Sequence, residues 1–143
     1  MNFYFIGDGN LKSALMELCN QLSLNVVFMG NRPPDEMPDM INCFDLVVLP
    51  SENEGLPLIV LECMACQTPI ISSRVGGIPE VLSNEYTIPH GPGFAEEFAD
   101  RAIEVLKNPG ENILKLSSLF NWELTAEKEA KSYREILVAQ GEI

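Results

Sequence analysis

The residues best suited to chemistry lie between Pro50 and Glu62, in Pro50-Ser51-Glu52-Asn53-Glu54-Gly55-Leu56-Pro57-Leu58-Ile59-Val60-Leu61-Glu62. If Pro57 opens a helix at its first turn, the N–H groups around Gly55, Leu56 and Leu58 have no intrahelical acceptor. Such donors, at the positive end of a helix dipole, dock a diphosphate without any lysine. Gly55 removes a Cβ where a ligand must approach the backbone closely. Glu54 stands beside that anion position. Glu62 falls inside an otherwise apolar helix, where an ionised carboxylate is costly unless it is paired or hydrogen-bonded. A pair of sugar hydroxyls would serve. Taken alone, Glu62 reads equally as a partly exposed helix acid or one bonded to nearby backbone. Glu54 alone reads first as a solvated loop acid.

Other residues attract attention and are set aside. Cys63-Met64-Ala65-Cys66 has C-x-x-C spacing, but no second close pair completes a zinc site, and the segment reads as a buried helix. Cys19 and Cys43 are the remaining cysteines. Gly7-Asp8-Gly9 lacks the third glycine of a dinucleotide fingerprint and reads as a tight structural turn. His90, the single histidine, sits beside Gly91 and Pro92 and reads as exposed and inert. Arg74 reads equally as a crevice or a surface arginine, and Trp122 as a helix anchor.

The elements that position the glutamates follow from the apolar runs. Strands are expected over Asn2 to Ile6, Asn25 to Met29, Asp45 to Leu49, Pro69 to Ser72 and Tyr86 to Ile88. Helical spacing is read from Leu11 to Leu22, from Met37 to Phe44, after Pro57, after Gly77, from Phe94 to Leu106 and from Trp122 to Leu137. Strand and helix alternate, and the strands are continuous apolar runs rather than alternating ones. This is the pattern of a doubly wound parallel α/β sheet, buried on both faces. Ligands of such sheets bind beyond the carboxyl ends of the strands, which singles out the loops after Leu49 and Ser72.

The bulk numbers agree with one globular domain. The chain has 143 residues, 46% hydrophobic and 21% charged, with 21 acidic and 9 basic residues for a net charge of −12. So acidic a chain repels phosphate backbones, which argues against nucleic acid as a partner. The charge says little about a nucleotide, because helix N–H groups act at short range. No apolar run approaches the ~20 residues of a membrane span, and the start lacks the basic region of a signal peptide. A cytoplasmic location is the resulting expectation.

Glu54-Gly55-Leu56-Pro57 followed by Glu62, an E-x7-E pattern, resembles the signature of retaining glycosyltransferase family four (the group 1 glycosyltransferases). Phe5-Ile6-Gly7-Asp8-Gly9, Val27-Phe28-Met29-Gly30, Phe44-Asp45-Leu46-Val47-Val48-Leu49-Pro50-Ser51 and Gly76-Gly77-Ile78-Pro79-Glu80-Val81 resemble family segments in order. Phe120-Asn121-Trp122-Glu123 with Tyr133 is similar to the closing helix. The resemblance implies the C-terminal, donor-binding half of a B-type fold with two Rossmann-like domains. Residues 1–143 would then form a single nucleotide-sugar-binding domain, with 120–143 as terminal helix. It implies a hexosyltransferase-type enzyme that retains configuration, of the kind used in polysaccharide or glycolipid assembly. Glu62 would hold the ribose hydroxyls. Glu54, as the catalytic residue, would orient the donor sugar near the reacting carbon. Gly55, Leu56, Pro57 and Leu58 would form the diphosphate site, and Arg32 would lie near the base. The leaving phosphate would take the acceptor's proton, with no cofactor and no metal; the chain has no Asp-x-Asp.

The resemblance also implies parts that this sequence lacks. The acceptor-binding domain precedes everything seen here. The donor domain would open with a central strand and helix, bringing an arginine and a lysine that grip the diphosphate. The expectation is therefore a chain inactive alone, partnered by an N-terminal domain, a second chain or another copy of itself. Any peripheral membrane contact would come through the absent domain. The alternative is a non-catalytic nucleotide-sugar-binding or interaction module. A nucleotide-sugar epimerase fits less well, since His90 is the single histidine, and a phospho-receiver lacks its acidic cluster.

Overall fold

A computed structural model describes residues 1–108 and 122–140. Along the chain the elements are β1 (Phe3–Ile6), α1 (Lys12–Gln21), β2 (Val26–Gly30), α2 (Met37–Ile41), β3 (Val47–Leu49), α3 (Leu58–Cys66), β4 (Ile70–Ser73) and α4 (Ile78–Val81). A 3-10 turn (Asn84–Tyr86) leads into β5 (Thr87–Ile88), followed by α5 (Phe94–Lys107) and α6 (Trp122–Gln140). Phe120, Asn121 and residues 141–143 of the expected terminal helix lie outside the described residues. The expected α/β architecture with parallel strands holds, and its strands pair as two sheets, β1–β2 and β3–β4–β5. The chain divides into two compact units, Met1–Met40 and Ile41–Ile143.

In the first unit β1 and β2 run parallel, with Phe3 opposite Val26 and Tyr4 opposite Val27. The facing rings of Phe5 and Phe28 stack with centroids 4.9 Å apart. Asn25 donates its side-chain amide to the Asn2 side chain at 2.8 Å and accepts from the Phe3 N–H, fixing the register at the start. At the far end, Gly7 N–H donates to the Gly30 carbonyl at 2.8 Å, and both glycines adopt positive φ. Asp8 accepts from the Gly9 N–H and pairs with Lys12 at 2.9 Å. The Lys12 bond holds the Asp8 carboxyl below its ordinary range. The Gly7–Gly9 segment is thus a turn whose acid is engaged within its own unit.

The second unit is built on β4. Val47, Val48 and Leu49 pair with Ile70, Ile71 and Ser72, and Ser72 and Ser73 pair with Thr87 and Ile88. All four residues of β4 are buried, as expected of a central parallel strand covered on both faces. Ile41, Val60, Cys63, Ile70, Ile71 and Ile78 are wholly inaccessible and form the core. Each fully buried aliphatic side chain contributes about 1.5–3 kcal/mol of transfer free energy. Thr68, buried between α3 and β4, satisfies its hydroxyl on the Ile41 carbonyl at 3.1 Å. Among the described residues, no helix is long and apolar enough to cross a membrane.

Candidate functional site

Because β3, β4 and β5 are parallel, the loops that follow them emerge on one edge of the sheet. The loop after β3 carries Glu54. The loop after β4 carries Gly76 and Gly77, and the loop after β5 carries His90. Hydrogen bonds from the end of β4 and from the two later loops hold this segment by its carbonyl oxygens. Ser72 donates its hydroxyl to the Leu49 carbonyl at 3.2 Å, and Ser73 donates to the Ser51 carbonyl. The Gly77 N–H donates to the Gly55 carbonyl at 2.7 Å.

The closest approach is made by Gly76, whose φ is +54°. A Cβ there would come within 2.8 Å of the Glu54 carbonyl carbon, and closer still to the carbonyl oxygens of Glu54 and Gly55. Two consecutive carbonyls therefore face the Gly76–Gly77 turn. In a planar trans peptide the C=O and the following N–H point in opposite directions. The N–H groups of Gly55 and Leu56 are accordingly aimed away from that turn, and among the described residues neither has a backbone acceptor. Adjacent N–H groups aimed to one side of a loop are suited to an anion.

The first turn of α3 adds further donors. Pro57 occupies the cap in an extended conformation, φ −70° and ψ 134°, one position before the helical turn in which the sequence placed it. Val60 N–H donates to the Pro57 carbonyl at 3.1 Å, leaving the Leu58 and Ile59 N–H groups without intrahelical partners. One turn further, Glu62 lies on the Leu58 face of α3. Glu62 and Glu54 are half-buried residues, and among the described residues neither side chain has a hydrogen-bond or ion-pair partner. Leu58 is 66% exposed, so this face of α3 is open. The loop thus joins outward amide donors to two carboxylates able to accept from hydroxyls.

Arg32 belongs to the first unit, after β2, where it pairs with Glu36 at 3.6 Å. Arg74 is half-buried and bonded to its neighbouring strand. Its Nε donates to the Thr87 hydroxyl at 3.1 Å and its Nη2 to the Thr87 carbonyl at 3.0 Å, tying β4 to β5. Cys63 is fully buried, and burial pushes its thiol up to about 12, with smaller contributions from Cys66 and Glu62. It is an inert core thiol. His90 is exposed as expected but is engaged, with Nε2 at 2.9 Å from the Ser51 carbonyl. No local pattern points to that contact, because its partner lies 39 residues away.

The family described as glycosyl transferases, group 1, matches residues 1–108. N-acetyl-alpha-D-glucosaminyl L-malate synthase of Bacillus anthracis is 37% identical over 112 residues, covering 72% of this chain and 27% of the relative. Sucrose-phosphate synthase from Thermosynechococcus elongatus superimposes with a TM-score of 0.77 at 25% identity, over 95% of this chain and 38% of that one. Anabaena HepE in complex with UDP-glucose superimposes with a TM-score of 0.67 at 22% identity, over 81% and 34% respectively, a likeness of fold. The chain spans 27–41% of the length of the curated relatives it matches.

Proposed function

We propose, on the premise that the chain belongs to the group 1 glycosyltransferases, that it supplies the donor-binding half of an enzyme transferring a sugar from a nucleotide diphosphate with retention of configuration. The observation that carries this reading is the pair of outward N–H groups at Gly55 and Leu56, fixed by the carbonyl contacts of Gly76 and Gly77 and continued by the start of α3. These donors, with Pro57 and Leu58 beside them, take the diphosphate and stabilise the charge that grows on it as it leaves. Glu62 accepts from the two ribose hydroxyls. Glu54 accepts from hydroxyls of the donor sugar and orients its anomeric carbon. The departing phosphate oxygen takes the acceptor's proton, so the step needs no separate protein base.

The chain works together with a further domain, a second chain or another copy, and does not transfer sugar alone. Two features support this. The chain is a fraction of the length of its relatives, and β1, β2, β3 and β5 each have one edge unpaired among the described residues. The same fraction favours a second reading, a nucleotide-sugar-binding module without catalysis. Transfer from a donor to a defined acceptor, by the chain together with such a partner, separates the two.

Calorimetric titration with UDP, GDP and ADP tests the donor site. One nucleotide is expected to bind preferentially, and Glu62→Ala to weaken it about 10- to 100-fold, the loss of hydrogen bonds to a charged acceptor. Binding by none of the three, or binding indifferent to Glu62→Ala, would overturn the reading.

A further inference from the structure

The loop from Pro50 to Pro57 is pinned at two places. At its end, Gly55 is held by Gly77. At its start, the Ser51 carbonyl uses both lone pairs, one for the Ser73 hydroxyl and one for the His90 ring. A carbonyl only accepts, so this contact requires the proton on Nε2. The ring is held by more than that bond. It stacks on Phe94 with centroids 4.1 Å apart and an interplanar angle of 27°. Phe94 in turn packs at 5.4 Å against Phe98, which is buried on α5. The turn that folds Phe94 back onto His90 runs through Gly93 at φ +79°, with Phe94 N–H donating to the Gly91 carbonyl at 3.1 Å. An exposed histidine is thereby aimed at a particular carbonyl by an aromatic stack rooted in the core.

We propose that His90 is a positioning residue for the donor site, acting through the Ser51 carbonyl on the loop that presents Gly55 and Leu56. This rests on the reading of that loop as the diphosphate site. Ser51 and Gly55 bracket Glu52, Asn53 and Glu54. With the first anchor loosened, the peptide planes between them rotate, and both the amide donors and the Glu54 carboxylate lose their direction. Positioning errors of about 1 Å are costly to such sites. His90 itself touches no reacting atom.

Two variants separate the bond from the ring. His90→Phe keeps an aromatic ring on Phe94 and removes the donor, while His90→Gln loses the ring and keeps an N–H of similar reach. We expect His90→Phe to weaken the preferred nucleotide about three- to ten-fold with an unchanged thermal midpoint, and His90→Gln to recover most of that loss. A ligand-free readout stands beside the titration. Nitrogen-15 spectra of the ring should show the Nε2–H tautomer, and His90→Phe should shift the Gly55 and Leu56 amide resonances. Shifted amides with no nucleotide binding in any form would sink the donor-site reading and leave the positioning role standing. An Nδ1–H ring, unmoved amides, or wild-type affinity in His90→Phe would overturn the role itself.

Discussion

Replacing Gly76 by alanine tests the geometry of the site most directly. Two penalties act together. At φ +54° an L side chain sits in the left-handed region, which costs about 1–2 kcal/mol. The new Cβ also lies inside the contact distance of the Glu54 and Gly55 carbonyl groups, and overpacking of that kind costs about 1–3 kcal/mol more. Destabilisation of about 2–5 kcal/mol is expected, a fall of at least about 1 M in urea midpoint for an m-value near 2 kcal/mol/M. Relief of the clash moves the carbonyls of Glu54 and Gly55, so the N–H groups behind them swing too, and nucleotide affinity should fall more than about ten-fold. Gly77→Ala is the internal control. Its φ is −83° and its added Cβ would sit 3.4 Å from the nearest atoms, ordinary contact, so stability should stay within about 0.5 kcal/mol. Gly76→Asn relieves the dihedral penalty without the contact and should remain close to Gly76→Ala. Equal urea midpoints for Gly76→Ala and Gly77→Ala would refute the reasoning.

Three further outcomes follow from individual side chains. Cys63 is raised by burial from 9.0 to about 12, so the folded thiol keeps its proton where the unfolded one has lost it. Stability should therefore fall as pH climbs through that window, by at most about 1.4 kcal/mol per unit, and Cys63→Ala should flatten the slope of denaturant midpoint against pH. In the native chain exposed Cys43 should alkylate readily and Cys63 should not, as peptide mapping would report. Arg74→Met removes the fork that joins Thr87 to β4, and is expected to cost about 1–3 kcal/mol in urea unfolding while changing nucleotide affinity less than two-fold, roughly the scatter of such measurements. Lysine should not restore it, because a point charge does not reproduce the fork.

The strands were legible because each is a short apolar run closed by glycine, proline or a polar turn. All five appear within a residue or two of the expected bounds, and β4 is buried on both faces as its composition requires. Ends decided by backbone detail were less so. The helix read through Phe44 stops at Ile41, where the Phe44 N–H turns back to the Ile41 carbonyl at 3.1 Å, and Tyr86 belongs to a 3-10 turn rather than to β5. Pairing into two sheets was not legible, since an apolar run declares a strand without naming its neighbours. In the site, Glu54, Gly55 and Glu62 stood out by type and spacing. The roles of Gly76, Ser73 and His90 did not, because each acts on a carbonyl more than twenty residues distant in the chain.

Carbonyl-side fixation also shapes how this loop can diverge. The turn at Gly76 and Gly77 meets the backbone of Glu54 and Gly55, and the Ser73 and His90 side chains meet the backbone of Ser51. The side chains of Glu52 and Asn53 take no part in those contacts and are exposed. The loop's shape is thus inherited from one set of positions, and the chemical character of its surface from another. Selection, or a designed library, has freedom to rewrite residues 52 and 53 while the amide donors stay where they are. Drift at Gly76 has no such latitude.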